Sequence, residues 1–135
     1  MNIEQFKKKI ERELPESELI LSSENDLIKL KKDFNGLPDD YLTFLKEVGS
    51  GTFGNCYFSI YSGPLEPDEI FDPVTASSLT DFIFIGDDFS GWMLAFDKKA
   101  KPFELAFFHH SEKHELNEKE QSSIAGFLNY ELFER

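Results

Sequence analysis

The sequence predicts an α+β fold, a mainly antiparallel sheet packed by N-terminal and C-terminal helices. Three observations predict it. Residues 82–97 read FIFIGDDFSGWMLAFD, two apolar runs, 82–85 and 92–96, around the polar break Gly86-Asp87-Asp88-Phe89-Ser90-Gly91. Strand formers on both sides of a Gly/Asp-rich connection specify a β-hairpin, whose glycines can take backbone angles that a Cβ forbids. Both runs are apolar at nearly every position, so the hairpin is expected at the centre of the sheet, covered on both faces. The helices that coverage requires are legible elsewhere, most clearly at 37–51 and near the C-terminal end. With 135 residues the chain is expected to be a single domain, 1–135, able to bury a core without staples.

Taken in order, Ile3, Phe6, Ile10 and Leu14 recur at helical spacing among Lys and Glu, an amphipathic helix that Pro15 ends. Ile20 and Leu21 read as a short link. Ser23 precedes Glu24-Asn25-Asp26 as an N-cap, and Leu27, Leu30 and Phe34 form the stripe of a second helix. Asn35-Gly36 reads as its left-handed exit. In LPDDYLTFLKEVGSG, Pro38 suits the first helical position, and Asp39 and Asp40 face the positive end of the helix dipole. Tyr41, Phe44, Leu45 and Val48 fall on one face, and Gly49-Ser50-Gly51 stops the helix.

Residues 56–61 alternate as a strand, with Cys56, Phe58 and Ile60 on one face and Tyr57, Ser59 and Tyr61 on the other. Residues 62–78, with Pro64, Pro67 and Pro73, read as a long acidic loop with at most one helical turn near 69–71. After the hairpin, with Trp92 expected in the core, 98–102 turn the chain into a third strand at 103–109. Asn117 with Glu120 reads as a capping pair for a last helix, whose buried face is Ile124, Phe127, Leu128 and Leu132.

Composition narrows the class. A 40% hydrophobic content with 15 phenylalanines excludes a disordered chain. The lone Cys56 cannot form an internal disulfide and reads as a small buried hydrophobe in a reducing cytosol. The first residues are charged throughout and lack the apolar core of a signal peptide, and no apolar run reaches membrane-spanning length. A soluble cytoplasmic protein is expected.

The net charge of −12 is uneven. Residues 1–36 carry 7 basic and 8 acidic groups, and 98–135 carry 6 and 7. Residues 37–97 hold 11 acids against Lys46 alone. Such a field repels nucleic acid and anionic membrane and steers a basic partner, although the same charge would also serve solubility. Glu66, Asp68, Glu69 and Asp72 in the loop, with Asp87 and Asp88 at the hairpin tip, are the expected partner-binding residues.

Catalytic and metal chemistry find little support. Adjacent His109 and His110 on a strand would point to opposite faces, and His110 with His114 supplies two ligands without a third. Asp87 and Asp88 suit a turn, held by side-chain bonds to nearby N–H groups, better than an acid/base pair. Ser90-Gly91 lacks the G-x-S-x-G elbow, and the glycines of 49–54 lack the Lys and the following helix of a phosphate loop. No catalytic residue, cofactor or metal is expected.

The order of these elements resembles the SUKH superfamily, which includes bacterial immunity proteins and fungal cell-wall assembly regulators. Leu37, Pro38, Asp40, Tyr41, Phe44 and Leu45 match its Leu-Pro-acid-Tyr-x-x-Phe-Leu helix. Gly86, Asp87, Gly91 and Asp97 match its second element, and Phe127-Leu128 the closing helix; the likeness spans about residues 20–130. One departure is Val48-Gly49-Ser50-Gly51 where the family carries Asn-Gly-Gly. The resemblance implies a domain that binds protein instead of catalysing. In bacteria such a protein commonly neutralises a toxin, often a nuclease, encoded beside it, and a basic nuclease would complement the acidic segment. Two other readings stay open: a scaffold or regulatory domain in cell-wall or signalling assembly, and an acidic mimic of nucleic acid.

Overall fold

The computed structural model describes residues 1–116 and 122–135. Among them, seven strands form one antiparallel meander in which sequence neighbours are sheet neighbours: β1 (Glu18–Ile20), β2 (Ser50–Phe53), β3 (Phe58–Leu65), β4 (Phe82–Asp87), β5 (Trp92–Asp97), β6 (Glu104–His109) and β7 (Glu112–His114). The helices are α1 (Ile3–Glu13), α2 (Glu24–Asp33), α3 (Asp39–Glu47), α4 (Pro73–Ser77) and α5 (Ile124–Asn129), the last continuing as a wider π-type turn, Tyr130–Glu134. The α+β class stands.

Local chemistry sets the helix ends. Asn2 accepts from the Gln5 N–H at 2.8 Å while the Gln5 side chain accepts from the Asn2 N–H, and Ser23 and Asp26 exchange the same two bonds. Pro38 occupies the N-cap of α3, one position before the predicted one. Gly49, at φ +105°, donates to the Phe44 carbonyl at 2.9 Å and ends that helix in the left-handed region.

The predicted coverage of the hairpin on both faces is present, and alternation along β4 divides it. Ile83 and Ile85 enter the core beneath α1, α3 and α5, where the rings of Phe6, Phe44 and Phe53 lie 5.7–6.2 Å apart. Phe82 and Phe84 point to the second face, with Met93, Ala95 and Phe108. That second core is roofed by the chain after β3, where Phe71 meets Phe84 edge-on at 5.4 Å. Each ring so buried contributes roughly 1.5–3 kcal/mol of transfer free energy.

Several expectations give way to tertiary contacts. The 20–21 link includes the end of strand β1, because Gly51, at φ +135°, lets the Glu18 carbonyl pass 2.0 Å from where a Cβ would stand. The GSG read only as a helix stop therefore also starts β2. Gly36 has no left-handed backbone; it makes room for the Phe103 ring, 2.1 Å from a would-be Cβ. Cys56 is exposed, in a turn at φ +61°, and its strand begins only at Phe58. The acidic loop of 62–78 resolves into the end of β3, a 3-10 turn (Pro67–Glu69) and α4. Pro64 is tolerated because the β3–β4 register shifts between Ile60 and Leu65. Trp92 is half-buried at the sheet's end instead of central, stacked on Phe107 at 4.9 Å. The Asn117–Glu120 capping pair lies outside the described residues; Ser123 caps α5.

Candidate functional site

One of the predicted binding acids stands on the second face of the sheet, and a backbone irregularity puts it there. Phe84 pairs with Ala95, but Gly86, two residues on, pairs with the adjacent Leu94, so Ile85 is a bulged extra residue. Gly86 fits the bulge because a Cβ would lie 2.4 Å from the Ser59 carbonyl. The bulge reverses the alternation and sets Asp87 opposite Met93, on the second face. There its carboxylate accepts from the half-buried Tyr61 hydroxyl and from the Phe89 N–H at 2.8 Å. Burial first, then Asp87's bond and charge, raise the pKa of Tyr61.

Asp88 turns the other way. Its Oδ1 accepts from the N–H groups of Ser90 and Trp92 at 2.9 and 3.0 Å. Its charge reaches Glu131 in the C-terminal turn, whose carboxyl is pushed up mainly by burial. The hairpin-tip pair thus does the turn-holding work its residue types suit, and the two carboxylates serve different sides.

The other four acids lie at the opposite end of β4, roughly 17 Å from Asp87 by strand rise. Glu69 accepts from the Glu66 N–H at 2.7 Å and closes the 3-10 turn. Asp72 caps α4 through the Thr75 N–H and hydroxyl, both at 2.9 Å, and those bonds lower its pKa. Glu66 meets Lys98 at 3.9 Å, and Lys99 meets Asp81 at 3.9 Å. These lysines just beyond the acid-rich segment offset part of its charge, a pairing sequence distance hides. Asp68 is exposed and has no side-chain hydrogen bond or ion pair among the described residues.

A feature absent from the sequence reading is a groove of about 620 Å³ between the 3-10 turn and α4. Pro67, Phe71, Pro73 and Ala76 give it an apolar floor, with Glu66 and Asp68 on its rim. Nearby Val74 is 81% exposed, large for an apolar side chain. Pro67, Pro73 and the spacing of Phe71 and Ala76 were visible signals, though only folding turns them into one wall.

The histidines gather where alternation would have separated them. His110 leaves the strand at φ +55° and donates its N–H to the Gly91 carbonyl, so its ring comes within 4.3 Å of His109. His109 and His114 both pack on Trp92, at 4.5 and 4.9 Å. Among the described residues no three His, Cys, Asp or Glu side chains are arranged to hold a metal, and no helix is long and apolar enough to cross a membrane.

A family model described as SUKH_6, SMI1-KNR4 cell-wall, matches residues 24–128. No curated protein and no solved structure matches the chain.

Proposed function

Because the chain belongs to the SUKH family, as the match over residues 24–128 establishes, we propose that it is a cytoplasmic immunity protein that binds and neutralises a basic toxin domain. It acts by binding, without catalysis, cofactor or metal, and contacts neither nucleic acid nor membrane. A nuclease is the favoured toxin, since a nuclease surface is basic where it holds a polyanion.

The observation that carries this reading is the charge distribution: 11 acids against one lysine over 37–97, with Asp87 on the second face of the sheet and Glu66, Asp68, Glu69 and Asp72 in the segment whose Ile70 and Phe71 cover that face. Asp88 contributes from the adjoining tip. Acids on a rigid, preformed surface raise the encounter rate of a basic partner more than they deepen the bound state.

The test is association kinetics with the toxin domain encoded beside the gene, at low and high salt. Asp68→Asn, Glu69→Gln and Asp72→Asn together remove charge while keeping the oxygens that cap the turn and α4. Slower association in the variant, and a wild-type rate that falls as salt screens the field, are expected. Equal rates without salt dependence would remove the electrostatic reading.

The description of the matched family, SMI1-KNR4 cell-wall, favours one second reading, a scaffold or regulatory domain that recruits proteins in cell-wall or signalling assembly. Absence of any toxin domain beside the gene, with retained binding to an envelope-assembly protein, would select it.

A further inference from the structure

The groove beside α4 combines two demands that one kind of side chain satisfies. Its floor, Pro67, Phe71, Pro73 and Ala76, asks for aliphatic surface; its rim, Glu66 and Asp68, asks for positive charge. Lys and Arg lay an apolar stem along such a floor and keep the charged head at the carboxylates.

The floor is already assembled. Pro67 and Ala76 are buried, Phe71 is anchored edge-on to Phe84 at 5.4 Å, and two prolines restrict the backbone on either side. An occupant would therefore order little beyond itself. The rim carboxylates are unequal. Glu66 meets Lys98, whereas the Asp68 carboxylate has no hydrogen bond or ion pair among the described residues. Asp68 is the carboxylate left to meet an incoming cation.

We propose that this groove is a slot for one arginine or lysine side chain of the bound protein, its stem on Pro67, Phe71 and Pro73 and its head at Asp68. The proposal rests on the reading of the chain as a binder of a basic protein and names how one residue of that protein is held.

The experiment is a backbone-amide NMR titration of the whole chain with blocked tripeptides, Gly-Arg-Gly, Gly-Lys-Gly, Gly-norleucine-Gly and Gly-Glu-Gly. The Arg and Lys probes should shift the amides of Asp68, Phe71 and Ala76 selectively, and the other two should not. Asp68→Asn, an exposed and isosteric change, should weaken the Arg probe about two- to fivefold, the range of an exposed ion pair. Thr80→Trp, which fills the groove from an exposed position, should abolish the shifts. Norleucine binding as well as arginine would make the groove a purely apolar site. Shifts spread over every acidic residue, or variants that titrate like the wild type, would equally overturn the slot. If the wild type binds the toxin domain yet the Arg probe leaves the groove unmoved, the slot fails and the toxin reading survives. If the groove titrates and no toxin domain binds, the toxin reading fails alone.

Discussion

Asp87 shows how one residue of the proposed binding surface can also hold a turn. Removing its carboxylate strands the half-buried Tyr61 hydroxyl and opens the turn at Phe89. Asp87→Ala should therefore cost about 1–3 kcal/mol, the penalty of an unsatisfied polar partner. In a double-mutant cycle with Tyr61→Phe, urea unfolding should show the two changes to be non-additive. Additive costs would mean the bond contributes nothing. Asp40, the acid matched in the family helix, has a different physics. Burial pushes its carboxyl above the usual range, against hydrogen bonds from the N–H groups of Tyr41, Ile124 and its own backbone. A carboxyl raised on folding adds stability that is complete below its unfolded pKa and lost as pH rises through the folded one. Wild type should thus gain on Asp40→Asn as pH falls through the raised value. Asp72, lowered by its Thr75 bonds, has the opposite sign: its contribution is present above the unfolded pKa and lost as pH falls through the folded one. Unfolding curves of both Asn variants across the acidic range check the two slopes.

At the scale of elements, the hairpin and α3 supply the two-sided core. Phe44 and Phe84 are fully buried, one on each side of the sheet, so either change to Ala should cost about 3–5 kcal/mol. Trp92 is half-buried at the strand's end, and Trp92→Ala should cost less than either despite its larger ring. Thermal melts that rank Trp92→Ala first would misplace the core. Strand β1 lies against two glycines, Gly49 beside the Ile20 carbonyl and Gly51 beside that of Glu18. A Cβ at Gly51 would overlap the Glu18 carbonyl, and φ +135° disfavours any side chain there. Gly51→Ala should release β1, seen as faster amide exchange at residues 18–20 while β4 and β5 stay protected. The Asn35-Gly36 pair teaches the related lesson that a glycine after a helix can serve a distant ring instead of a turn.

Over the whole molecule, a net charge of −12 opposes compaction, besides attracting the basic partner proposed for it. Added salt should raise the melting temperature, and the triple amide variant at 68, 69 and 72 should melt no lower than wild type. Alanines at 69 and 72 should melt lower, because Glu69 and Asp72 hold the 3-10 turn and α4. A melting temperature indifferent to salt would show the repulsion to be negligible.

The periodicities of α1, α3 and β4–β5, the double-sided burial of the hairpin and the family itself were legible in the sequence, because each depends on residues close in the chain. The acids were legible as a composition, and Asp87 and Asp88 as turn residues, because an Asp bonds to N–H groups within a few positions. Only the tertiary structure decided the rest. The bulge at Ile85-Gly86 chooses Asp87's face, Lys98 and Lys99 return to Glu66 and Asp81, and His110 folds back toward His109. Strand β1 and the groove beside α4 likewise arise from contacts between segments 30 or more residues apart or from a wall assembled by packing on Phe84. Side-chain pattern encodes which face of an element is buried; it does not encode where two elements meet, and charge neutralisation, grooves and strand edges are properties of that meeting.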